Sequence, residues 1–341
     1  DGYYNNPLNF IAPEDIERIQ VLKNGTALWG AKAAGGVILI DTKRGRDVVT
    51  RIDARIDFGY QSPFKSLPMM DAEAYRTYAT EVMRGMKADE INKLQFINDD
   101  PSKFYYNDTH NDTRWLNEIN RAALMQNYNI SVSGGDDIAL YRFSLGYAQN
   151  DGNIEGTSFD RLNVRFNSDI HLTKRFSIAA DIAHSQTNTQ AIFNGTDQVR
   201  SPYYMALAKS PLYGPYQRNG LGMLTNRLSD IDELNVGNPL VLVQDRIPSL
   251  NKYRFNLNLT PTYDINERMK ISAILGLSWD KSNENLFIPD VGVADVPLYN
   301  QQGEIYATAL NEVRSFMARN ADLSADVHFD WNILSNWRHH W

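Results

Sequence analysis

The sequence has no cysteine among its 341 residues. Disulfide frameworks, thiolate nucleophiles and cysteine-ligated metals are therefore excluded. The sequence also has no excess of positive charge, since its formal net charge is -7. Proteins that bind nucleic acid usually carry a basic patch or stripe, so nucleic acid is not an expected partner.

Long apolar runs are absent as well. The longest covers residues 33–40, whereas a transmembrane helix needs about 20 apolar residues. The mean hydropathy of -0.45 resembles that of a soluble protein. A membrane β-barrel gives the same value, because its lumen-facing polar residues alternate with lipid-facing apolar ones. No signal peptide opens the chain, and we expect it to be an internal piece of a longer protein.

Strict alternation of apolar and polar residues is the strongest pattern present. Leu162, Val164 and Phe166 fall on one face of a predicted strand, opposite Arg161 and Arg165. Such strands run to about 10–13 residues, as membrane strands do, rather than the usual ~5–6. Eight segments share the pattern: residues 48–60, 128–133, 141–147, 161–172, 176–186, 252–260, 269–279 and 323–332.

A soluble antiparallel sandwich would alternate in the same way. Two further features favour a membrane barrel. The polar face carries full charges, which a water-filled lumen would solvate. Aromatic residues also gather near strand ends, as in the girdles of outer-membrane barrels; they are Tyr60, Tyr128, Tyr147, Tyr253, Tyr263, Trp279 and Trp331.

The connections between these strands alternate between long and short. Short ones cover residues 134–137, 173–175 and 264–268. Outer-membrane barrels have short periplasmic turns and longer extracellular loops. The sequence therefore predicts an all-β membrane protein, with about the first eight strands of an antiparallel transmembrane β-barrel in residues 47–341. The expected extracellular loops are residues 61–125, 187–251 and 281–312.

These loops contain predicted structure of their own. Asp71 caps an expected amphipathic helix over residues 71–86, and residues 116–124 form a shorter one. The loop over residues 187–251 is rich in tyrosine. We predict ligand contact, by stacking on sugar rings or on a lid partner, for Tyr203, Tyr204, Tyr213 and Tyr216; burial against neighbouring loops is the alternative.

Residues 1–46 follow another pattern. Pro13 opens a short acidic helical turn, a strand over residues 19–22 follows, and residues 36–40 form an apolar run suited to a fully buried strand. We interpret this region as the C-terminal part of a small α+β domain.

Three stretches in this region resemble a known family: PEDIERIQVLK at residues 13–23, ALWG at 27–30 and GVILIDTKRG at 36–45. They are similar to the end of the plug domain in TonB-dependent receptors, most of all the SusC/RagA-type TonB-linked outer-membrane transporters. The downstream stretch QNYNISVSGG at residues 126–135 resembles the family's early barrel. Trp29 departs from the family, which usually has tyrosine there.

The resemblance implies active import of a nutrient, such as a glycan or an oligopeptide, across the bacterial outer membrane. It also implies a surface lipoprotein of the SusD type as lid, and a TonB complex that contacts a segment not in this chain. Lumen-facing Arg161, Arg165, Asp169, Lys252 and Arg254 are expected to hold the plug or to line the transport path. A siderophore or cobalamin receptor without a lid, a structural barrel without transport and a self-contained eight-stranded barrel are the alternatives.

No catalytic constellation stands out, so we do not expect an enzyme, and a soluble β-rich enzyme is the last alternative. His339 and His340 form the only adjacent histidine pair, which is too few ligands for zinc. Residues 98–100 and 108–112 offer oxygen ligands for a loop calcium, although solvated polar turns explain them better. We expect no metal and no cofactor.

Overall fold

The computed structural model describes residues 7–23, 34–63, 67–87, 91, 94–191, 201–245, 247–289, 291–293, 298–299, 305–307, 310–334 and 337–340. Trp29 lies outside these residues. Of the helices described, none is long and apolar enough to cross a bilayer.

The N-terminal region forms a two-stranded antiparallel sheet. Short 3₁₀ turns at Pro7–Phe10 and Pro13–Asp15 lead into β1 (Ile16–Leu22), which pairs with β2 (Val37–Thr42). Within this chain the strand expected to be fully buried is partly covered: Ile38 is 55% exposed, while Val37, Leu39 and Ile40 are half-buried. Among the described residues the two strands pair only with each other.

A nine-stranded antiparallel meander dominates the rest of the chain. Its strands pair in chain order, with small hairpins inserted in the long connections. They are β3 (Arg51–Gln61), β4 (Ala123–Gly135), β5 (Ala139–Asp151), β6 (Ser158–Thr173), β7 (Phe176–Gln190), β10 (Ile247–Asn266), β11 (Met269–Ile288), β14 (Leu310–Leu334) and β15 (Trp337–His340).

The eight predicted strands are confirmed, as β3 to β7, β10, β11 and β14, but several are longer than the alternation indicated. β10 and β11 each contain 20 residues and β14 contains 25. Their ends therefore extend into the predicted loops over residues 187–251 and 281–312. The alternation weakens there: residues 281–285 of β11 are all polar, whereas Leu286 and Ile288 at its end are buried in an apolar cluster.

Helices and hairpins fill the long connections. They comprise α1 (Ala72–Met83), α2 (Trp115–Ile119), α3 (Pro202–Ala208), the hairpins β8–β9 (Tyr216–Arg218, Leu224–Leu228) and β12–β13 (Leu298–Tyr299, Ile305–Ala307), 3₁₀ turns at Gln95–Ile97 and Tyr106–Asp108, and a π turn at Val241–Asp245.

The helix predicted from Asp71 is confirmed, and the Asp71 carboxylate accepts a hydrogen bond from the Ala74 amide at 2.8 Å. The second helix is shorter than the predicted 116–124, because β4 already begins at Ala123.

The main hydrophobic core joins these connections to one another. Trp115, Leu116 and Ile119 of α2 pack against Ala206 of α3 and Leu240. Two adjoining clusters centre on Met205 and on Phe96. We call these three clusters the loop core. The loop core covers the end of the sheet at which the long connections lie. The two faces of the meander make other contacts.

Candidate functional site

The end of the plug region lies against one face of the meander. Side chains at odd-numbered positions of β6 point to this face, which we call the inner face. Asn163 Nδ2 donates to Phe10 O at 2.6 Å, and Arg161 Nη1 donates to Ile11 O at 3.2 Å. Farther along, Asn167 Nδ2 donates to Lys43 O at 2.8 Å. β6 thus binds the backbone of the plug region at two places, near Phe10 and at Lys43.

Ion pairs reinforce these hydrogen bonds. Arg44 lies between two carboxylates of the inner face: its Nη1 donates to Asp169 Oδ1 at 2.6 Å, and its Nη2 donates to Asp181. Asp169 belongs to β6 and Asp181 to β7, so a single guanidinium bridges two strands. Arg44 therefore fixes the segment that links β2 to β3.

A second charged contact lies near the 3₁₀ turns. Arg165 Nε is 3.7 Å from Asp15 Oδ2, and the Asp15 side chain is buried. Arg254 of β10 stacks over the Phe10 ring, 4.3 Å from its centroid, and its Nε donates to Asp280 at 2.5 Å. Together with the Arg44 pairs and the backbone hydrogen bonds, these contacts form what we call the plug contact.

Glycine allows the backbones to approach closely at the exit from the plug region. A Cβ at Gly45 would clash with the backbone carbonyl oxygen of Tyr141 in β5. Since this neighbour is backbone rather than a flexible side chain, no larger residue fits without displacing the segment.

Arg161, Arg165, Asp169 and Arg254 of the predicted inner-face set thus meet the plug region, and Lys252 lies on the same face, two residues from Arg254. Sequence reasoning missed Arg44, Asp181, Asn163, Asn167 and Asp15. The alternation of β6 already placed Asn163 and Asn167 on this face. Nothing in the sequence linked Arg44 to Asp181, which are far apart in the chain.

The four predicted ligand-contact tyrosines differ in burial and in the elements that carry them. Tyr203 and Tyr213 pack against the loop core, and burial raises the pKa of Tyr213. Tyr204 lies in α3 with its side chain half-buried, while Tyr216 begins β8 and is 37% exposed.

A cleft of about 570 Å³ opens between α1, α2 and the end of α3, and none of the four tyrosines lines it. Tyr75 and Tyr78 of α1 line it, together with Met69 and Met70 and the α3 residue Leu207. Its lining is mainly apolar, although the Arg114 side chain also reaches it.

The predicted calcium segments are occupied by internal contacts. Asp99 Oδ1 accepts from Arg76 Nη1 at 3.2 Å and contacts His110 Nε2 at 3.0 Å, and the His110 hydrogen bond lowers the pKa of Asp99. Asp112 accepts from the Ala72 amide. Within the described residues, no group of three histidine or carboxylate side chains could hold a metal.

The opposite face of the meander is an apolar belt, which we call the outer face. The last row of the belt toward the long connections is its upper limit. This row follows the strand pairing and consists of Ile56, Tyr128, Tyr147, Leu162, Gln186, Tyr253, Lys281 and Met317. The outer-face row beyond it is polar from β4 onward: Gln126, Gln149, Asp160, Asn188, Asn251, Asn283 and Ser315.

The lower limit of the belt passes through Phe176, Tyr263, Ile271 and Val327. At ~3.3 Å per residue and a strand tilt of about 40°, the span from Tyr253 to Tyr263 rises about 25 Å. That is the height of the apolar band on an outer-membrane barrel.

Comparison with known proteins identifies the same architecture. Residues 1–37 match the TonB-dependent Receptor Plug Domain. TonB-dependent receptor P3 of Formosa agariphila is 24% identical over 92% of this chain and 30% of its own length. TonB-dependent receptor SusC of Bacteroides thetaiotaomicron is 26% identical over 48% of this chain and 15% of its own.

Among solved structures, the RagAB peptide importer in its open-open state superposes with a TM-score of 0.70 at 18% identity, over 96% of this chain and 37% of that one. The chain therefore spans about a third of the length of TonB-dependent receptor P3 and of the RagAB chain, and its match to SusC covers less. The resemblance to SusC/RagA-type TonB-dependent transporters is confirmed, and so is the fold: the end of a plug domain followed by the antiparallel strands of a transmembrane barrel.

Proposed function

We propose that this chain is part of a TonB-dependent importer of the bacterial outer membrane, in which residues 1–46 end the plug and residues 47–341 begin the barrel. One observation carries the proposal. The same strands bind the plug region through polar side chains on their inner face and present an apolar belt of bilayer height on their outer face. A soluble sheet has no need of that belt.

The chemistry of the plug contact suits a plug that is displaced and then returns. Its hydrogen bonds and ion pairs can be exchanged for water, and each contributes only about 0.5–1.5 kcal/mol net, or roughly 1.5–3 kcal/mol where a charge is involved. A buried apolar interface would resist displacement far more. In this proposal, a force transmitted through the TonB complex opens a path along the inner face past Arg161, Arg165 and Arg254.

The cargo we propose is a glycan or an oligopeptide, captured by the long connections. The name of one structural neighbour supports the oligopeptide: RagAB is called a peptide importer. In this proposal a SusD-like surface lipoprotein forms the lid. The exposed Tyr216 is the best placed of the four tyrosines to contact cargo or lid, because Tyr203 and Tyr213 already pack against the loop core.

The first test uses the full-length protein in mild detergent, with far-UV circular dichroism and gel mobility measured before and after boiling. We expect a β-rich spectrum and heat-modifiable migration. A protein that stays monodisperse without detergent would overturn the membrane assignment.

A second test separates transport from insertion. Deleting the TonB-contacting segment of the full-length protein should abolish uptake of labelled cargo and leave heat-modifiable migration unchanged. Uptake that survives the deletion would contradict the mechanism. Purification from native membranes should also yield a stoichiometric lipoprotein; its absence would favour a receptor without a lid.

A further inference from the structure

The outer face carries two permanently cationic side chains between its upper and lower limits. Lys281 of β11 lies in the upper row, and Arg319 of β14 lies one outer-face position below it. No other described outer-face position of that belt carries a lysine, an arginine or a carboxylate. A cation facing lipid is disfavoured unless its head group reaches an anion or water.

Strand pairing brings the two cations together. Lys281 is directly opposite Met317, and Trp279 is directly opposite Arg319. Lys281 and Arg319 are therefore diagonal neighbours, with an expected separation of about 7–8 Å between their backbone positions. Arg319 Nη2 lies 3.7 Å from Met317 Sδ, so the guanidinium extends along the face toward the row of Lys281. Both side chains are long enough to reach one bound anion.

The surroundings match the head-group region of a membrane. Trp279 is 46% exposed on this face, and Tyr253 is paired with Lys281 across β10 and β11. Aromatic side chains of this kind mark the interface between acyl chains and head groups. The polar row that contains Asn251 and Asn283 begins immediately beyond.

We propose that Lys281 and Arg319 form a binding site for the phosphate of a lipid head group in the outer leaflet, with Trp279 and Tyr253 against its acyl chains. This inference rests on the proposed membrane orientation, in which the long connections face outward. A phosphate supplies the charge and acceptor oxygens that a guanidinium and an ammonium bind together. The site would fix the barrel at a defined depth in the bilayer.

The test compares two lipids on the full-length protein in detergent: phosphorylated lipid A and the same lipid after removal of its phosphates. Native mass spectrometry counts bound lipid, and the temperature at which heat-modifiable migration is lost reports stabilisation. We expect at least tenfold tighter binding of the phosphorylated form. The double variant K281Q/R319Q should lose that preference and the accompanying stabilisation.

The matched control is K174Q/R268Q, which removes the same charge from exposed turns at the opposite end of the strands. It should keep the preference. Equal binding of both lipids by the unmodified protein, or a preference that survives in K281Q/R319Q, would overturn the inference and leave the importer proposal intact. Loss of heat-modifiable migration in the unmodified protein would instead overturn the membrane assignment and this inference with it.

Discussion

At the scale of single residues, Arg44 is the most connected side chain of the plug contact. Removing its charge leaves Asp169 and Asp181 facing each other on adjacent strands without a cation between them. We expect Arg44→Gln to weaken retention of the plug by about 1.5–3 kcal/mol, the range for hydrogen bonds to charged groups. Ion conductance of the full-length protein in planar bilayers measures this as more frequent openings.

The matched control for this variant is Arg46→Gln. Arg46 also pairs with a carboxylate, Glu17, but its side chain is 72% exposed and the pair lies within the plug region. Exposed pairs contribute little to stability, so conductance should stay at the unmodified level. Equal conductance in both variants would show that Arg44 does not retain the plug.

A substitution at Gly45 tests the plug contact by adding volume rather than by removing charge. Gly45→Ala places a methyl group against the Tyr141 carbonyl and should shift the segment that carries Arg44. We expect increased conductance, as for Arg44→Gln. Gly85→Ala is the control, because a Cβ there meets nothing within 4 Å. Normal conductance in Gly45→Ala would mean that the plug exit adapts without loss of contact.

A buried ion pair holds the loop core together. Lys209 Nζ lies 3.3 Å from Asp232 Oδ2 and donates to Val236 O at 2.7 Å, and the two side chains are 1% and 0% exposed. Burial lowers the pKa of Lys209. Removal of one partner leaves the other charge buried without a counter-charge. Lys209→Met should therefore destabilise the loop core by about 3–5 kcal/mol.

Pulse proteolysis of the full-length protein in urea measures this effect. The double variant Lys209→Met/Asp232→Asn should recover most of the loss. The amide side chain that it introduces is neutral and keeps an oxygen for the Leu234 and Val236 amides, which now donate to Asp232 Oδ1. If the double variant is as unstable as Lys209→Met, the ion pair itself stabilises the loop core, and the unpaired buried carboxylate is not the cause of the loss.

At the scale of elements, the two faces of β11 predict opposite responses to charge. Leu277 lies near the middle of the outer face and is 51% exposed, while Ser278 lies on the inner face, where its hydroxyl accepts from Asn320. Leu277→Arg should destabilise the inserted protein by about 2–4 kcal/mol, the cost of arginine at the bilayer midplane. Ser278→Arg should be tolerated.

The measurement is urea unfolding of the full-length protein in lipid vesicles, followed by loss of heat-modifiable migration. In a soluble sandwich the half-exposed Leu277 would accept arginine readily. Equal stability of the two variants would therefore contradict the assignment of the outer face to lipid.

The strands were largely predictable because period-two alternation survives wherever the two faces meet different environments. β6 and β11 illustrate this. The ends of β10, β11 and β14 were not predictable, since beyond the apolar belt the alternation is lost. Residues 282–285 of β11 are all polar, and Leu286 and Ile288 after them pack into the loop core. The contacts of Arg44 were also out of reach, because a single sequence gives no sign of which distant carboxylates it meets.

At the scale of the molecule, two kinds of packing divide the chain. The plug contact consists mostly of side chains that bind backbone carbonyls and of ion pairs. The loop core consists of buried apolar side chains such as Ile119, Leu212 and Leu242. Water can replace the contacts of the first kind. Opening the loop core exposes apolar surface instead, which costs a free energy of about 25 cal/mol for each Å².

This difference predicts an order of opening. Hydrogen exchange of the full-length protein in detergent, measured with increasing urea below the unfolding transition, should first label residues 7–15 and 43–46. Residues 202–208 and 241–243 of the loop core should stay protected, because their opening requires loss of apolar burial. Arg44→Gln should lower the urea concentration at which the first group opens and leave the second unchanged. Simultaneous labelling of both groups would mean that the plug region and the loop core open as one unit. The proposal that the plug is displaced by itself would then be wrong.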